Sequence, residues 1–188
     1  MTEVLKESEA LKEWSAAIWA LLDGRQTVLL RKGGIGEKRF EVAATEFLLF
    51  PTVAHSHTER VRPEHRDLLA PAAADSTEEH VTVRAAARVI AAVAVDKPGG
   101  LAQIDDTHIW TAESVRADRI DFRPKHKLTV LVVQAFPLAE PIRLPRLAQY
   151  RGCTSWVSLP QGGPVTAPVH DLESLEAVAA RVRRAVSD

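Results

Sequence analysis

The chain lacks most of the features from which a function is usually read. Its 188 residues contain one cysteine, Cys153, so an internal disulfide is excluded and a cytoplasmic protein is the expectation. Aromatic residues are scarce, at 5% of the chain, and only one is tyrosine. Four are tryptophan, so each Trp carries a large share of the aromatic packing. Long apolar runs are missing as well. The longest, residues 85–95, is broken by Arg88, too short and too polar for a bilayer span. Residues 1–12 are charged, without the apolar stretch of a secretion signal, so no membrane association is expected. Nor is there an excess of charge: the formal net charge is -1 and the isoelectric point about 6.7. Overall charge therefore favours neither a nucleic-acid nor a membrane-surface protein. Several chemical signatures are absent too. The chain has no P-loop, no His-Glu-x-x-His zinc motif and no strand bearing the Glu-x-Lys of a nuclease. No cofactor and no metal are assigned.

What remains is enough apolar residue, 46%, to build a core, and an uneven distribution of charge. Residues 24–40 hold Arg25, Arg31, Lys32, Lys38 and Arg39 against Glu37, and residues 116–151 hold eight Lys and Arg against Asp118, Asp121 and Glu140. A chain neutral on average can still present a basic face, although scattered arginines also serve simply as solubilising charge.

Periodicity predicts an α+β chain. Leu11, Trp14, Ile18, Leu21 and Leu22 recur at helical spacing ahead of Gly24, which predicts a helix over residues 7–23. Residues 27–32 read as a strand ending at Gly33-Gly34, with a partner strand at 39–42 and a hairpin tip at 33–38. Residues 47–50 are a short apolar run stopped by Pro51, either a buried strand or a helical turn. A helix is expected after Pro63, an exposed loop over 71–79, and one long, bent strand over 81–95, whose Ala-rich second half also suits a helix. Residues 97–100 read as a turn, and 112–116 as a short helix capped by Thr111. Residues 128–136 are the clearest buried strand, followed by an irregular, Pro-rich stretch to 145. A short strand over 154–159 and a loop over 161–168 come next. Asp171 then caps a final helix that buries Leu172, Leu175, Val178, Ala179, Val182 and Val186 along one face. The expected architecture is one α+β domain over residues 1–160, mostly antiparallel and strand-rich, open or barrel-like, with an N-terminal helix. Residues 161–188 add a loop and a C-terminal helix that packs on the same domain or on a partner.

Several constellations are candidate sites. Arg31-Lys32-Gly33-Gly34 ends a strand in two cations and two glycines, a combination that lets backbone N–H groups and positive charge approach an anion; an ordinary solvated hairpin tip reads the same way. His55, His57, Glu59 and His65 lie close in sequence and contain His-x-His beside a carboxylate, the ingredients of a zinc site without a known spacing. His108 with Cys153 or Ser155 offers a base and a nucleophile. His108, Trp110 and Trp156, together with arginines, more closely match a surface that grips a nucleobase.

The order Leu11-Lys12-Glu13-Trp14, Gln26-Thr27, Leu30-Arg31-Lys32-Gly33-Gly34-Ile35, Phe47-Leu48-Leu49-Phe50-Pro51-Thr52, His55, His108-Ile109-Trp110-Thr111, Tyr150 and Gly152-Cys153-Thr154-Ser155-Trp156-Val157 resembles a bacterial family, domain of unknown function eighteen-oh-two. The resemblance covers residues 10–160 and brings no catalytic residues with it. Some members of that family are joined to a restriction-endonuclease-like domain of the Mrr type, so the resemblance implies a link to DNA recognition or defence, with a restriction-type nuclease as partner. Thr154 stands where a basic residue is expected, and Ser56 where the family often has Gln. Gly24, Thr27 and Arg31 are also similar in pattern to the modified-base-reading barrels associated with pseudouridine synthases. The combined expectation is a non-catalytic binding module for nucleic acid or a nucleotide-like ligand, using Arg31, Lys32, Gly33, Gly34, His55, His108, Trp110 and Trp156. Its alternatives are a metal-dependent hydrolase built on the histidines of 55–65, or a protein-interaction domain that uses its final helix.

Overall fold

The structure, a computed structural model, describes residues 8–33, 40–54, 56–152 and 154–188. The chain opens with β1 (Ser8–Trp14), which passes directly into α1 (Ser15–Leu22) at Trp14. The helix predicted over 7–23 is therefore a helix only in its second half. Ala10 and Leu11 are both fully buried because β1 pairs in parallel with β3 (Glu46–Thr52) on one side and antiparallel with β6 (Trp156–Leu159) on the other. A strand buried on both faces has no polar–apolar alternation to announce it, and the spacing of Leu11, Trp14 and Ile18 matches a helical face by coincidence.

β2 (Val28–Lys32) pairs with the first part of β5 (Leu128–Pro145). The predicted partner strand at 39–42 is not found: residues 40–42 are not in a strand, and residues 34–39 of the expected hairpin lie outside the described residues. Pro51 does not stop β3, which continues to Thr52 with Pro51 opposite Glu13. β4 (His80–Ala94) is the long strand expected, with register shifts between Val83 and Ala85 and between Val89 and Ala91 that bend it. β5 extends far beyond Phe136, through all three prolines to Pro145, and the stretch read as irregular is its second half. Pro137 sits opposite Ala85, just past a register shift, and the far edge of this half of β5 faces the 164–166 loop rather than another strand. Proline is tolerated at such edge and bulge positions.

These strands form one mixed sheet in the order β2-β5-β4-β3-β1-β6, antiparallel except for the β1–β3 pair. The sheet is open, with β2 and β6 at its edges; it does not close into a barrel. The predicted mostly antiparallel α+β architecture with an N-terminal and a C-terminal helix is the one observed.

The helices between β3 and β5 are short. α2 (His57–Arg60) is followed by a 3-10 turn at Pro63–Leu68 and by α3 (Leu69–Ala74), so residues 71–74 are helical where a loop was expected. A 3-10 stretch, Pro98–Thr107, leads to α4 (Ala112–Val115), with the Thr111 hydroxyl accepting from the Ser114 N–H at 3.1 Å. α4 runs on into a π-helical turn, Arg116–Asp121. α5 (Leu172–Val186) starts at Asp171, whose carboxylate accepts from Ser174 N–H at 2.8 Å. Its stripe of Leu175, Ala179, Val182 and Val186 joins the core formed by α1, β2, the second half of β4 and the first half of β5. Each of the larger residues in that stripe contributes about 1.5–3 kcal/mol of burial. Leu172, predicted to face inward, is 47% exposed. Among the described residues no helix is long and apolar enough to cross a membrane.

Candidate anion-binding site at the β1–α1 corner

Trp14 sits at the corner where β1 becomes α1, and five side chains gather on it. Trp110 meets its ring edge-on at 4.8 Å and 87°, and His57 lies tilted against it at 4.9 Å. The guanidinium groups of Arg60 and Arg119 lie over the ring at 4.7 and 5.3 Å. Glu13, the fifth, accepts from Trp14 N–H at 2.8 Å and fixes the corner. Glu13 is 3% exposed, a position a carboxylate holds only when paired, and its second oxygen takes Arg31 Nη1 at 3.2 Å. The same nitrogen donates to Lys12 O at 2.8 Å. Arg31 is thereby anchored at the mouth of a cavity of about 380 Å³, lined by Lys12, Trp14, Arg31, Lys32, Gly33, Thr52, Asp118, Arg119, Arg123, Thr154 and Ser155 among others.

The charges on this wall do not cancel. Lys12, Arg31, Lys32, Arg119 and Arg123 face the cavity against Asp118, and Asp118 is itself paired with Arg60 at 2.9 Å. Lys32 is held by three backbone carbonyls, those of Ile120, Phe122 and Arg123, at 3.1, 2.6 and 3.0 Å. Burial, assisted by Arg119, pulls its ammonium below the usual lysine range. Arg119 is the least compensated group. Among the described residues it makes no ion pair, and its polar contact is a 3.5 Å approach to Asp118 O. Burial lowers its pKa from the ordinary arginine value; Glu13 and Asp118 oppose that shift, and Arg31 and Arg60 add to it. A desolvated guanidinium beside two others, with too little negative charge nearby, is stabilised by an incoming anion.

Of the residues singled out from the sequence, Arg31, Lys32 and Gly33 therefore border one cavity, and Trp110 supports its Trp14 wall from beneath, at 5% exposure. His108 is elsewhere in the packing. It is 2% exposed, and its Nδ1 accepts from Trp110 N–H at 3.1 Å. Burial, with Arg62 adding to it, pushes its pKa down to about 4. Trp156 is not on the cavity wall either: it stacks on Phe40 at 6.0 Å and donates to Glu41 O at 3.0 Å. Gly34, His55 and Cys153 lie outside the described residues. His57 is buried with its Nε2 accepting from Ala54 N–H at 3.3 Å, and burial with Arg60 brings it down to about 4. Among the described residues no three His, Cys, Asp or Glu side chains converge as a metal site would require.

The sequence reading passed over Glu13, Trp14, Arg60 and Arg119 as site residues. Trp14 looked like one more apolar residue of a helix, and Arg119 was one of eight cations scattered over residues 116–151. The signal that marks Arg119 is the π-helical turn that carries it, a backbone form concentrated at functional sites, and that is visible only in the structure.

Comparison with known proteins places the chain in a family. The model of Domain of unknown function (DUF1802) matches residues 10–181, and the chain belongs to that family. No curated protein matches it. Solved structures with a similar course include the ASCH protein from Zymomonas mobilis, at 14% identity and a TM-score of 0.46, covering 92% of this chain and 93% of that one. Two mutant proteins of the same ASCH give TM-scores of 0.47 at the same identity, with 92% of this chain and 94% and 96% of those chains covered.

Proposed function

We propose that this chain is a non-catalytic module that binds nucleic acid or a nucleotide-like ligand through a phosphate group in the β1–α1 corner cavity. The observation that carries this reading is Arg119: a partly buried guanidinium with no ion pair among the described residues, beside Arg31 and Arg60. Trp14 supplies an aromatic wall next to it, and Thr52, Thr154 and Ser155 supply polar groups. Arg119, Arg123 and the Nη2 of Arg31, which has no partner among the described residues, would each donate charge-assisted hydrogen bonds to phosphate. Binding is favoured over catalysis because the Nδ1 of His108 and the Nε2 of His57 are both committed to backbone N–H groups, and neither buried ring lines the cavity. In this reading a restriction-type nuclease is the partner that cuts, and this chain supplies the contact to DNA.

The test is a titration of labelled single- and double-stranded DNA and RNA with the intact protein and with Arg119→Gln. The expected outcome is a loss of about tenfold or more in affinity for the variant, corresponding to at least one charge-assisted hydrogen bond, with an unchanged or raised melting temperature. Absence of binding by the unmodified protein at low salt, where phosphate contacts are strongest, refutes the reading.

A further inference from the structure

A second cavity lies at the other end of β1 and β3. Six residue steps along β1 separate Ser8 from Trp14, roughly 20 Å at about 3.3 Å per residue. This second cavity encloses about 550 Å³, within the range of small-molecule sites. Its floor follows from the strand register. Leu48, Ala86 and Phe136 form one cross-strand row, and Glu46, Arg88 and Gln134 form the next. The alanine in the middle of the first row leaves the space. The roof is the 162–168 loop, tied down where Thr166 N–H donates to Pro137 O at 2.8 Å and Ala139 N–H to Pro164 O at 2.9 Å.

Three polar features give this apolar chamber a chemistry. Arg88 is stacked over Phe136 at 5.5 Å and held by Nε to Glu46 at 3.1 Å, which leaves both terminal nitrogens without a partner among the described residues. Glu9, also on the wall, has one oxygen on Ser158 at 3.0 Å and the other without a partner among the described residues. Among the described residues the buried Ser8 hydroxyl has no partner, and neither has the Gln134 carbonyl oxygen in the Arg88 row. The mouth thus offers two carboxylates and one guanidinium. A lone anion meets more negative than positive charge, and a lone cation leaves the guanidinium fork unused. A zwitterion satisfies both.

We infer that this cavity binds an apolar α-amino acid, with the carboxylate on the terminal nitrogens of Arg88, the ammonium on Glu46 and Glu9, and the side chain against Leu48, Phe136 and Val165. The guanidinium fork matches a carboxylate in plane. Because the charged groups are half exposed, the apolar side chain supplies most of the affinity and the head group supplies the selectivity.

The probes are L-phenylalanine, phenethylamine and 3-phenylpropionate, which share one apolar body and differ in charge, titrated calorimetrically into the whole protein. The expected result is one saturable site for phenylalanine, with the amine about tenfold weaker and the acid weaker still. Arg88→Ala should bring phenylalanine down to the level of the amine, and Ala86→Phe should remove binding of all three by filling the chamber. Arg88 is on the surface, so its variant stays informative if Ala86→Phe fails to fold. The inference is overturned if phenylalanine gives no saturable binding, if Arg88→Ala binds it as well as the unmodified protein, or if the acid binds best. None of these outcomes depends on nucleic-acid binding at the β1–α1 corner.

Discussion

Glu13, Arg31 and Arg119 show how one carboxylate is divided among several cations. Glu13 is nearly inaccessible and is committed to the Trp14 N–H and to Arg31, so among the described residues Arg119 is left with the Asp118 carbonyl and the face of an indole. Arg31 was legible in the sequence because a strand ending in two cations and two glycines is an unusual pattern. Arg119 was not, because its character comes from burial, which no local pattern encodes. The same holds for the histidines. His57 and His108 looked like ligands or bases by type, and their surroundings make them neutral structural groups with pKa values pushed to about 4. That has a measurable consequence. The folded values lie below the unfolded value of about 6.5, so the unfolded chain takes up more protons as pH falls. The stability due to keeping these rings neutral is complete above about pH 6.5 and is lost as pH falls toward 4, by about 3 kcal/mol for each ring as an upper figure. Carboxylates held below their ordinary values, such as Asp106 beside Arg181, lose their contribution only in more acid solution. His108→Asn offers an amide oxygen to the Trp110 N–H in place of Nδ1 but cannot titrate. Its urea midpoint should fall by about half as much as that of the unmodified protein between pH 7 and 4.5, and an equal fall in both would rule out His108 as a source of the pH dependence.

At the scale of elements, the clearest successes of the sequence were β4, the first half of β5 and α5, each with a long run or a clean stripe. The failures share a physical cause. β1 is buried on both faces and lacks alternation. Pro51 and the three prolines of β5 were read as stops, but they sit in strands where pairing is partial or ends. Propensity is a local quantity, and edge position is set by the rest of the chain. The glycines at 97–100 were read simply as a turn, and the structure shows a division of labour between them. A Cβ on Gly100 would lie 1.7 Å from Ala185 O, in the last turn of α5, whereas one on Gly99 would meet nothing within 4 Å. The neighbouring Asp96 and Lys97 N–H groups both donate to Val186 O, at 2.8 and 2.9 Å, so the end of α5 is clamped to this segment. Gly100→Ala must push α5 away or distort the turn, with an expected loss of about 1–3 kcal/mol or somewhat more. Gly99→Ala should change stability by less than about 1 kcal/mol. Thermal unfolding of the two variants side by side checks this, and equal losses would show that α5 is not seated as described.

At the scale of the whole molecule, the near-zero net charge and the local excess of cations make different predictions about salt. A protein that binds polyanions through a broad basic face releases many counterions, and its affinity collapses steeply with ionic strength. Here the formal net charge is -1, and at the cavity Lys32 is already occupied by three carbonyls. Arg31 spends one nitrogen on Glu13 and Lys12 O. The groups left to meet phosphate are Arg119, Arg123 and the remaining nitrogens of Arg31, enough for roughly two or three phosphates at about 0.7–0.9 ions released per phosphate. The logarithm of the affinity for a nucleic acid should therefore fall with the logarithm of salt concentration with a slope of about -1.5 to -2.5. Arg119→Gln should flatten that slope by about one. Arg88→Ala, at the other end of the strands, should leave it unchanged, since that cavity offers more negative than positive charge. A slope much steeper than about -4 would mean that phosphates are contacted across a wider surface, and the 116–127 segment, with Arg116, Lys125 and Lys127 exposed on it, would then be the next place to substitute. A slope near zero, with binding retained, would place the affinity in base stacking on Trp14 rather than in the guanidinium cluster. Arg119→Gln would then bind as tightly as the unmodified protein.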